Sequence, residues 1–353
     1  MTCDCLVELS HVFFEKTFTY IIPKNMEEKI KVGMRVEVPF GKQVLEAFVL
    51  KINYSQNQEN LKEIIALVDD YPILNKELLL LGKYIKNITL SSLMSSYQVM
   101  LPKALKAKKT VNMKVKKDKY ISINEEININ DYKYNETQQK IIDCLLKEKS
   151  INIKELNKIS QSSVKTLLNK EILISTEKEV YRYNLISREK KYFTLNDDQK
   201  KVFDKIKDSF EKQNTFLLYG VTGSGKTNVY MKLIEEVINM GKTALFLVPE
   251  ISLTPQIINR FTSYFDKIAV LHSKLSDSCK YDEWRKIERK EVSVVIGARS
   301  AIFAPLTNLG IIIIDEEHSS TYKQENNPKY NTIDIAIYRA KRYNIPLVLG
   351  SAT

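Results

Sequence analysis

Phe216-Leu217-Leu218-Tyr219 runs directly into Gly220-Val221-Thr222-Gly223-Ser224-Gly225-Lys226-Thr227. An apolar strand pattern thus leads into G-x-x-x-x-G-K-T, and a helical pattern follows, which is the context a phosphate-binding loop requires. The glycines let backbone N–H groups wrap phosphate oxygens at a helix N-terminus. Residues Gly220, Val221, Thr222, Gly223, Ser224 and Gly225 are therefore expected to cradle ATP. Lys226 is expected at the β- and γ-phosphates, and Thr227 on Mg2+. Only ten glycines occur in the 353 residues, so their clustering here is not a product of composition.

The pattern around this loop repeats. Apolar segments at Thr215–Tyr219, Thr243–Val248, Ile268–Leu271, Val292–Ile296, Ile311–Ile314 and Leu347–Leu349 alternate with helical stretches. Strands that are apolar throughout imply a parallel sheet covered by helices on both faces. Ile311–Ile314 runs into Asp315-Glu316-Glu317-His318. Acids at the carboxyl end of a parallel strand face the ligand crevice. Asp315 is expected on Mg2+ and Glu316 beside the attacking water; with Lys226 they form the expected catalytic set. Upstream, Gln199 in Leu195-Asn196-Asp197-Asp198-Gln199 fits either an adenine contact or a plain helix start. Val248-Pro249-Glu250 and Gly297-Ala298-Arg299-Ser300 put small polar groups and one arginine at strand ends, where they could hold a nucleic-acid backbone.

The first 104 residues read differently. Thr17–Ile22 and Met34–Phe40 alternate as strands do, punctuated by Pro23, Gly33, Pro39 and Gly41. Helical spacing follows over Glu77–Ile88, and Leu101-Pro102 closes the unit. From Lys103 to Lys119 there are eight lysines and one aspartate, a basic linker or exposed strand taken here as part of a 105–130 linker. Residues 131–187 show a helix capped by Asn135, a short helix over Ile153–Ile159, a third over Ser160–Asn169, and hairpin-like alternation from Ile172 to Tyr183. That is the outline of a winged helix, with Gln161, Ser162, Ser163 and Lys165 expected to point outward. Residues 190–353 hold the P-loop unit.

Composition narrows the classes. A length of 353 residues, 44% hydrophobic and 27% charged, fits two or three globular domains. No apolar run reaches spanning length, and Met-Thr-Cys-Asp-Cys lacks a basic leader, so a cytoplasmic protein is expected. Cys3 and Cys5 form an isolated C-x-C, with Cys144 and Cys279 apart, so no zinc site is expected in this chain. The net charge of +11 favours polyanion partners.

Taken in order, Leu195–Gln199, GVTGSGKT, LVPEISLTPQ, LHS, IGARSAIFAP, DEEH and GSAT resemble the motifs of superfamily 2 helicases. Their spellings, with FTYIIP, VGMRVEVPFGKQ and LKEIIALVD before them, resemble the PriA (primosomal protein N′) family over the whole chain. The resemblance implies a multidomain α/β protein: a β-rich N-terminal domain for a DNA 3′ end, a winged helix, then a RecA-like helicase lobe. Phe18, Tyr20, Gly33 and Lys62 would shape the 3′-end pocket. Arg299, Tyr322, Lys323 and Tyr330 would contact DNA, the segment Tyr322 to Tyr330 would be the aromatic-rich loop linking DNA contact to ATP turnover, and His318 would take part in that coupling. Thr19 replaces a common Asp, and Ile333 a usual Arg. The chain ends within GSAT, so the second lobe and the family's zinc region would lie outside it, and the chain by itself is expected to hydrolyse ATP weakly or not at all. The implied activity is 3′→5′ unwinding at abandoned forks that promotes primosome assembly. Implied partners are forked DNA with a nascent 3′ end, single-stranded DNA, primosome proteins and single-strand-binding protein, with no membrane. Another superfamily 2 DNA translocase, or a non-catalytic fork-binding module, remain as alternative readings.

Overall fold

Alternate residues along the central strands enter two separate cores. Ala244, Phe246, Ile311, Ile313 and Val348 pack on one face, while Leu245, Leu247, Ile312, Ile314 and Leu347 pack on the other. This is the signature of a sheet sandwiched between helices. The computed structural model describes residues 1–8, 17–54, 60–108, 114–183, 190, 192–221 and 223–352. They fall into two compact units, residues 1–112 with 183–353, and residues 113–182.

Within the larger unit, the N-terminal sheet contains β1 (Thr2–Val7), β2 (Thr17–Ile21), β3 (Arg35–Phe40), β4 (Gln43–Asn53) and β5 (Ala66–Leu67). They are ordered β2-β1-β4-β3-β5, with antiparallel pairings. α1 (Lys76–Thr89) and α2 (Leu93–Met100) cover one face through Leu78, Leu81 and Tyr97. Asn75 and Ser92 cap them with side-chain oxygens. Of these elements, α2, β1, β4 and β5 were not expected from sequence.

The smaller unit contains β6 (Lys117–Ile123), α3 (Glu136–Lys147), β7 (Ile151–Asn152), α4 (Ile153–Asn169) and β8 (Leu173–Glu179). Three expectations are corrected here. The 105–130 segment is not all linker, because Lys117–Ile123 is a strand pairing with β8. Consequently β8 has no hairpin partner inside 172–183; its partner lies upstream of the helices. Ser163 is buried, whereas Gln161, Ser162 and Lys165 are exposed as expected. Ser160 leaves the helical region at φ −168° and ψ 113°, and its hydroxyl accepts from Ser163 N–H. The α4 span is therefore two helices meeting at a serine cap. Lys109, from the basic run, lies outside the described residues.

The P-loop sheet adds α5 (Asp197–Lys207), β9 (Thr215–Tyr219), α6 (Lys226–Asn239), β10 (Thr243–Leu247), α7 (Pro255–Thr262) and β11 (Ile268–Leu271). It continues with α8 (Asp277–Glu288), β12 (Val294–Gly297), β13 (Leu309–Ile314), α9 (Thr332–Tyr343) and β14 (Leu347–Ser351). Six parallel strands run in the order β11-β12-β10-β13-β14-β9. The edge strand β9 departs from the fully covered expectation: Leu217 and Tyr219 are 63% and 66% exposed.

The N-terminal sheet and this lobe share one core. Leu78 and Leu81 of α1 belong to the same cluster as Trp284, Ile335 and Leu347. Across that contact, buried Arg339 donates from Nε to Glu77 Oε1 (2.7 Å), and from Nη2 to Glu77 Oε2 (3.1 Å). Tyr343 donates to the same carboxylate, and Tyr84 stacks on Tyr338 at 4.2 Å.

Candidate functional site

The loop between β9 and α6 turns through two left-handed glycines, Gly223 at φ +86° and Gly225 at φ +82°. Gly225 also caps α6, and a Cβ there would stand 2.3 Å from Gln199 Nε2. Close approach and positive φ together explain why glycine is required. Thr222 lies outside the described residues. Gly220 N–H donates to Ser351 O (3.1 Å), which ties the loop's start to β14. Lys226 Nζ donates to Gly220 O and, at 3.4 Å, to Val221 O. The ammonium is folded back onto carbonyls of its own loop.

Gln199 does something other than present a free amide. Its Oε1 accepts from Asn196 N–H (3.2 Å), and its Nε2 donates to Ser224 O (3.0 Å). The side chain completes a capping box on α5 and braces the phosphate-binding loop. The amide is thereby held against the loop, with one N–H and one oxygen lone pair still unassigned.

β13 delivers Asp315 and Glu316 to the same end of the sheet. Tyr230 on α6 donates to Asp315 Oδ1 (3.0 Å), and Tyr322 donates to Asp315 O (2.7 Å). Burial, and secondarily the Glu316 charge, raise the Asp315 carboxyl above its ordinary range, while the Tyr230 hydrogen bond and the Lys226 charge oppose the rise. Gly350 makes room for this arrangement, since a Cβ there would sit 1.9 Å from Tyr230 Oη and 2.6 Å from Asp315 Oδ1. Glu316 holds φ +49°, a costly conformation without glycine, and its Oε2 accepts from Ser252 Oγ (3.2 Å). His318 Nδ1 lies 3.3 Å from Ser351 Oγ, joining the DEEH segment to GSAT. Sequence reasoning did not single out Tyr230, Ser252 or Gly350 as site residues, although Tyr230 follows closely on GVTGSGKT, Ser252 lies within LVPEISLTPQ and Gly350 opens GSAT.

Two expected DNA contacts are buried instead. Tyr322 and Tyr330 are 1% and 3% exposed, and Tyr330 packs edge-on against Phe303. Their hydroxyls and rings fix the post-DEEH segment rather than face solvent. Arg299 Nη1 donates to Thr321 O and Lys323 O at 3.3 and 2.6 Å, while the Lys323 side chain is exposed. Ile333 packs against the shared core.

The N-terminal expectations divide similarly. Tyr20 is 4% exposed in the sheet's own core and donates to Pro39 O (3.4 Å), so it is no open wall. Phe18 is half-buried, edge-on to Phe40 at 5.1 Å. Gly33, at φ +91°, faces the Leu74 backbone, where a Cβ would come within 2.0 Å of Leu74 O; its close approach is to its own chain. Lys62 is exposed, and its carbonyl accepts from Ile21 N–H (2.9 Å), which seats it beside β2. Thr19 donates to Asp4 Oδ1 (2.8 Å), and Asn53 donates to Asp4 Oδ2 (3.2 Å). A carboxylate therefore stands next to Thr19 although Thr19 itself carries none.

Residues 5–102 match the PriA 3′ DNA-binding domain (3′BD), and residues 192–353 match the type III restriction enzyme res subunit. The replication restart protein PriA of Bacillus subtilis is 37% identical over 99% of this chain and 53% of its own length. That of Chlamydia muridarum is 35% identical over 96% of this chain and 47% of its own. Over nearly its whole length the chain is similar to these PriA proteins. It spans about half the length of the curated relatives it matches. A PriA from Synechocystis reaches 52% identity over 39% of this chain and 17% of its own length. Among solved structures, the UvsW helicase from bacteriophage T4 aligns at a TM-score of 0.34 and 20% identity, covering 47% of this chain and 56% of that one. Among the described residues no helix is long and apolar enough to cross a membrane.

Proposed function

We propose that this chain is the ATP-binding and fork-recognising part of an ATP-dependent 3′→5′ DNA helicase. The whole protein would act on abandoned or stalled replication forks in the cytoplasm, remodel them and promote primosome assembly. The observation that carries the reading is the convergence of Lys226, Asp315 and Glu316 at the carboxyl ends of β9 and β13, with Tyr230 and Tyr322 holding the acid. The family's printed name, replication restart protein, supplies the biological setting.

In this reading Lys226 leaves its loop carbonyls for the β- and γ-phosphates, and Gly223, Gly225, Lys226 and Thr227 supply backbone donors. The donor set fits Mg2+: Thr227 and Asp315 offer hard oxygen ligands, and Asp315 is buried beside the Lys226 charge. Bound there, Mg2+ would neutralise charge developing on the phosphates. Glu316, aimed by Ser252, polarises the attacking water. Gln199 braces the loop and offers its remaining N–H and oxygen lone pair to the base. His318 passes the state of the site to Ser351, and Tyr322 passes it to the segment that Arg299 holds.

On the DNA side, exposed Lys62 and Lys323 suit phosphate contacts. Phe18, Lys62 and the Asp4–Thr19 pair suit a strand end. Three helices with a three-stranded sheet in the smaller unit support reading it as a winged helix. Primosome proteins and single-strand-binding protein are the partners this function requires.

Two measurements test the proposal. Lys226→Ala in the longer protein is expected to lower ATP hydrolysis by about 10²–10³-fold, while fork binding without nucleotide survives. Near-normal hydrolysis would refute the site. Fork DNAs differing only in a 3′-hydroxyl or 3′-phosphate are expected to bind unequally; equal affinity would favour a general DNA translocase.

A further inference from the structure

Two cavities open side by side at the carboxyl ends of β10, β11 and β12, and Glu250 lines both. Glu250 accepts from the Ser273 hydroxyl, so this pair forms the partition between them. The two cavities differ in chemistry.

The second, of about 390 Å³, is lined by Arg299, Ser300, Thr321 and Lys323, with Glu325 and the shared Glu250 at its walls. Hydroxyls with two cations suit a sugar–phosphate backbone. The first, of about 470 Å³, has apolar walls from Tyr183, Ile258 and Leu275. Its Tyr183 wall is held in place, because Lys286 donates to Tyr183 O (3.1 Å). Asn259, His272 and Lys274 also line it, and none of their side chains makes a hydrogen bond or ion pair among the described residues. Asn259 and His272 are half-buried and Lys274 is exposed. Here they converge on the cavity unpartnered.

The mostly apolar walls of the first cavity suit a phosphate less well than the hydroxyls and two cations of the second do. A flat ring with donors and acceptors on its edge suits all of these features. Its faces would meet Tyr183, Ile258 and Leu275. Asn259 offers both a donor and an acceptor, the group that pairs with an adenine edge, and Glu250 accepts from ring amino groups. Burial lowers the His272 pKa, which favours the neutral imidazole that can also serve as acceptor. We propose that the first cavity takes a nucleobase turned aside from a single strand whose backbone passes through the second. This rests on the DNA-binding function proposed above and adds a base-holding subsite to it.

The test uses the 353-residue chain with single-stranded oligonucleotides carrying one 2-aminopurine, moved stepwise through the bound register. One position is expected to be shielded from acrylamide while its neighbours are not. An abasic nucleotide at that position is expected to weaken binding about tenfold, the loss of one stacked base. Asn259→Trp, which fills the cavity, is expected to weaken the intact strand about tenfold and the abasic strand not at all. Asn259→Ala, which asks less of the packing, is expected to give a smaller loss in the same pattern. Uniform shielding, or equal weakening of intact and abasic strands by Asn259→Trp with an unchanged circular dichroism spectrum, overturns the subsite alone. A wild-type chain that binds no oligonucleotide overturns the functional reading and the subsite with it.

Discussion

Glu77→Ala removes the acceptor for three donors at once: Arg339 Nε at 2.7 Å, Arg339 Nη2 at 3.1 Å and Tyr343 Oη at 2.8 Å. Tyr343 keeps a second acceptor in Leu306 O, so its loss is small. Arg339 is 0% exposed and keeps only its Nη1 bond to Ile302 O. A guanidinium is then left in the core without a counter-charge, which typically costs about 3–5 kcal/mol. Urea denaturation followed by Trp284 fluorescence measures this. Trp284 is the chain's single tryptophan, is 3% exposed, and belongs to the same core cluster as Leu78 and Leu81. Arg339→Met in the Glu77→Ala background is expected to recover a large part of the loss, because an apolar replacement removes the stranded charge. The cycle of single and double variants isolates the pair's coupling. A loss below about 1 kcal/mol for Glu77→Ala, or no recovery in the double variant, would refute the buried clamp.

Three further outcomes are expected. Gly350→Ala forces a methyl against Tyr230 Oη and Asp315 Oδ1, so both the melting temperature and nucleotide affinity are expected to fall; a variant with unchanged values would mean that the site tolerates the displacement. Burial raises the Asp315 carboxyl pKa, so its ionised form is disfavoured in the folded state and the stability cost grows as pH rises through that raised value. Asp315→Asn is therefore expected to melt above the parent at neutral pH, with the gap closing in acid, and a gap independent of pH would contradict this. DNA affinity is expected to fall linearly on logarithmic axes as salt rises, given a net charge of +11, and a flat response would assign the lysines another purpose.

The P-loop sheet was legible because its signals are local. A glycine cluster after an apolar strand, and acids after another, mark positions whatever surrounds them. The N-terminal sheet was less so. β4 (Gln43–Asn53) pairs with both β1 and β3, but its residues mix polar and apolar because only part of each face is covered. In the smaller unit, β8 read as half of a hairpin because alternation shows that a strand exists, not where its partner lies; Lys117–Ile123 was hidden by its lysines. At the site, residue types led to Lys226, Asp315 and Glu316. They did not reveal that Gln199 faces Ser224, or that Tyr20, Tyr322 and Tyr330 are interior. An aromatic residue has the same letter in a core and on a binding surface, and only packing separates the two.

The core shared by the N-terminal sheet and the P-loop lobe acts as a ruler. Because α1 is fastened to α9 through Glu77 and Arg339, and α9 starts just after the segment that Tyr322 ties to Asp315, the span from Lys62 to Lys323 is set by packing rather than by a tether. A DNA end seated beside Lys62 would then lie at a constant number of nucleotides from the strand beside Lys323. Nuclease footprints on forks with gaps of increasing length would display that constant as a protected interval of unvarying size.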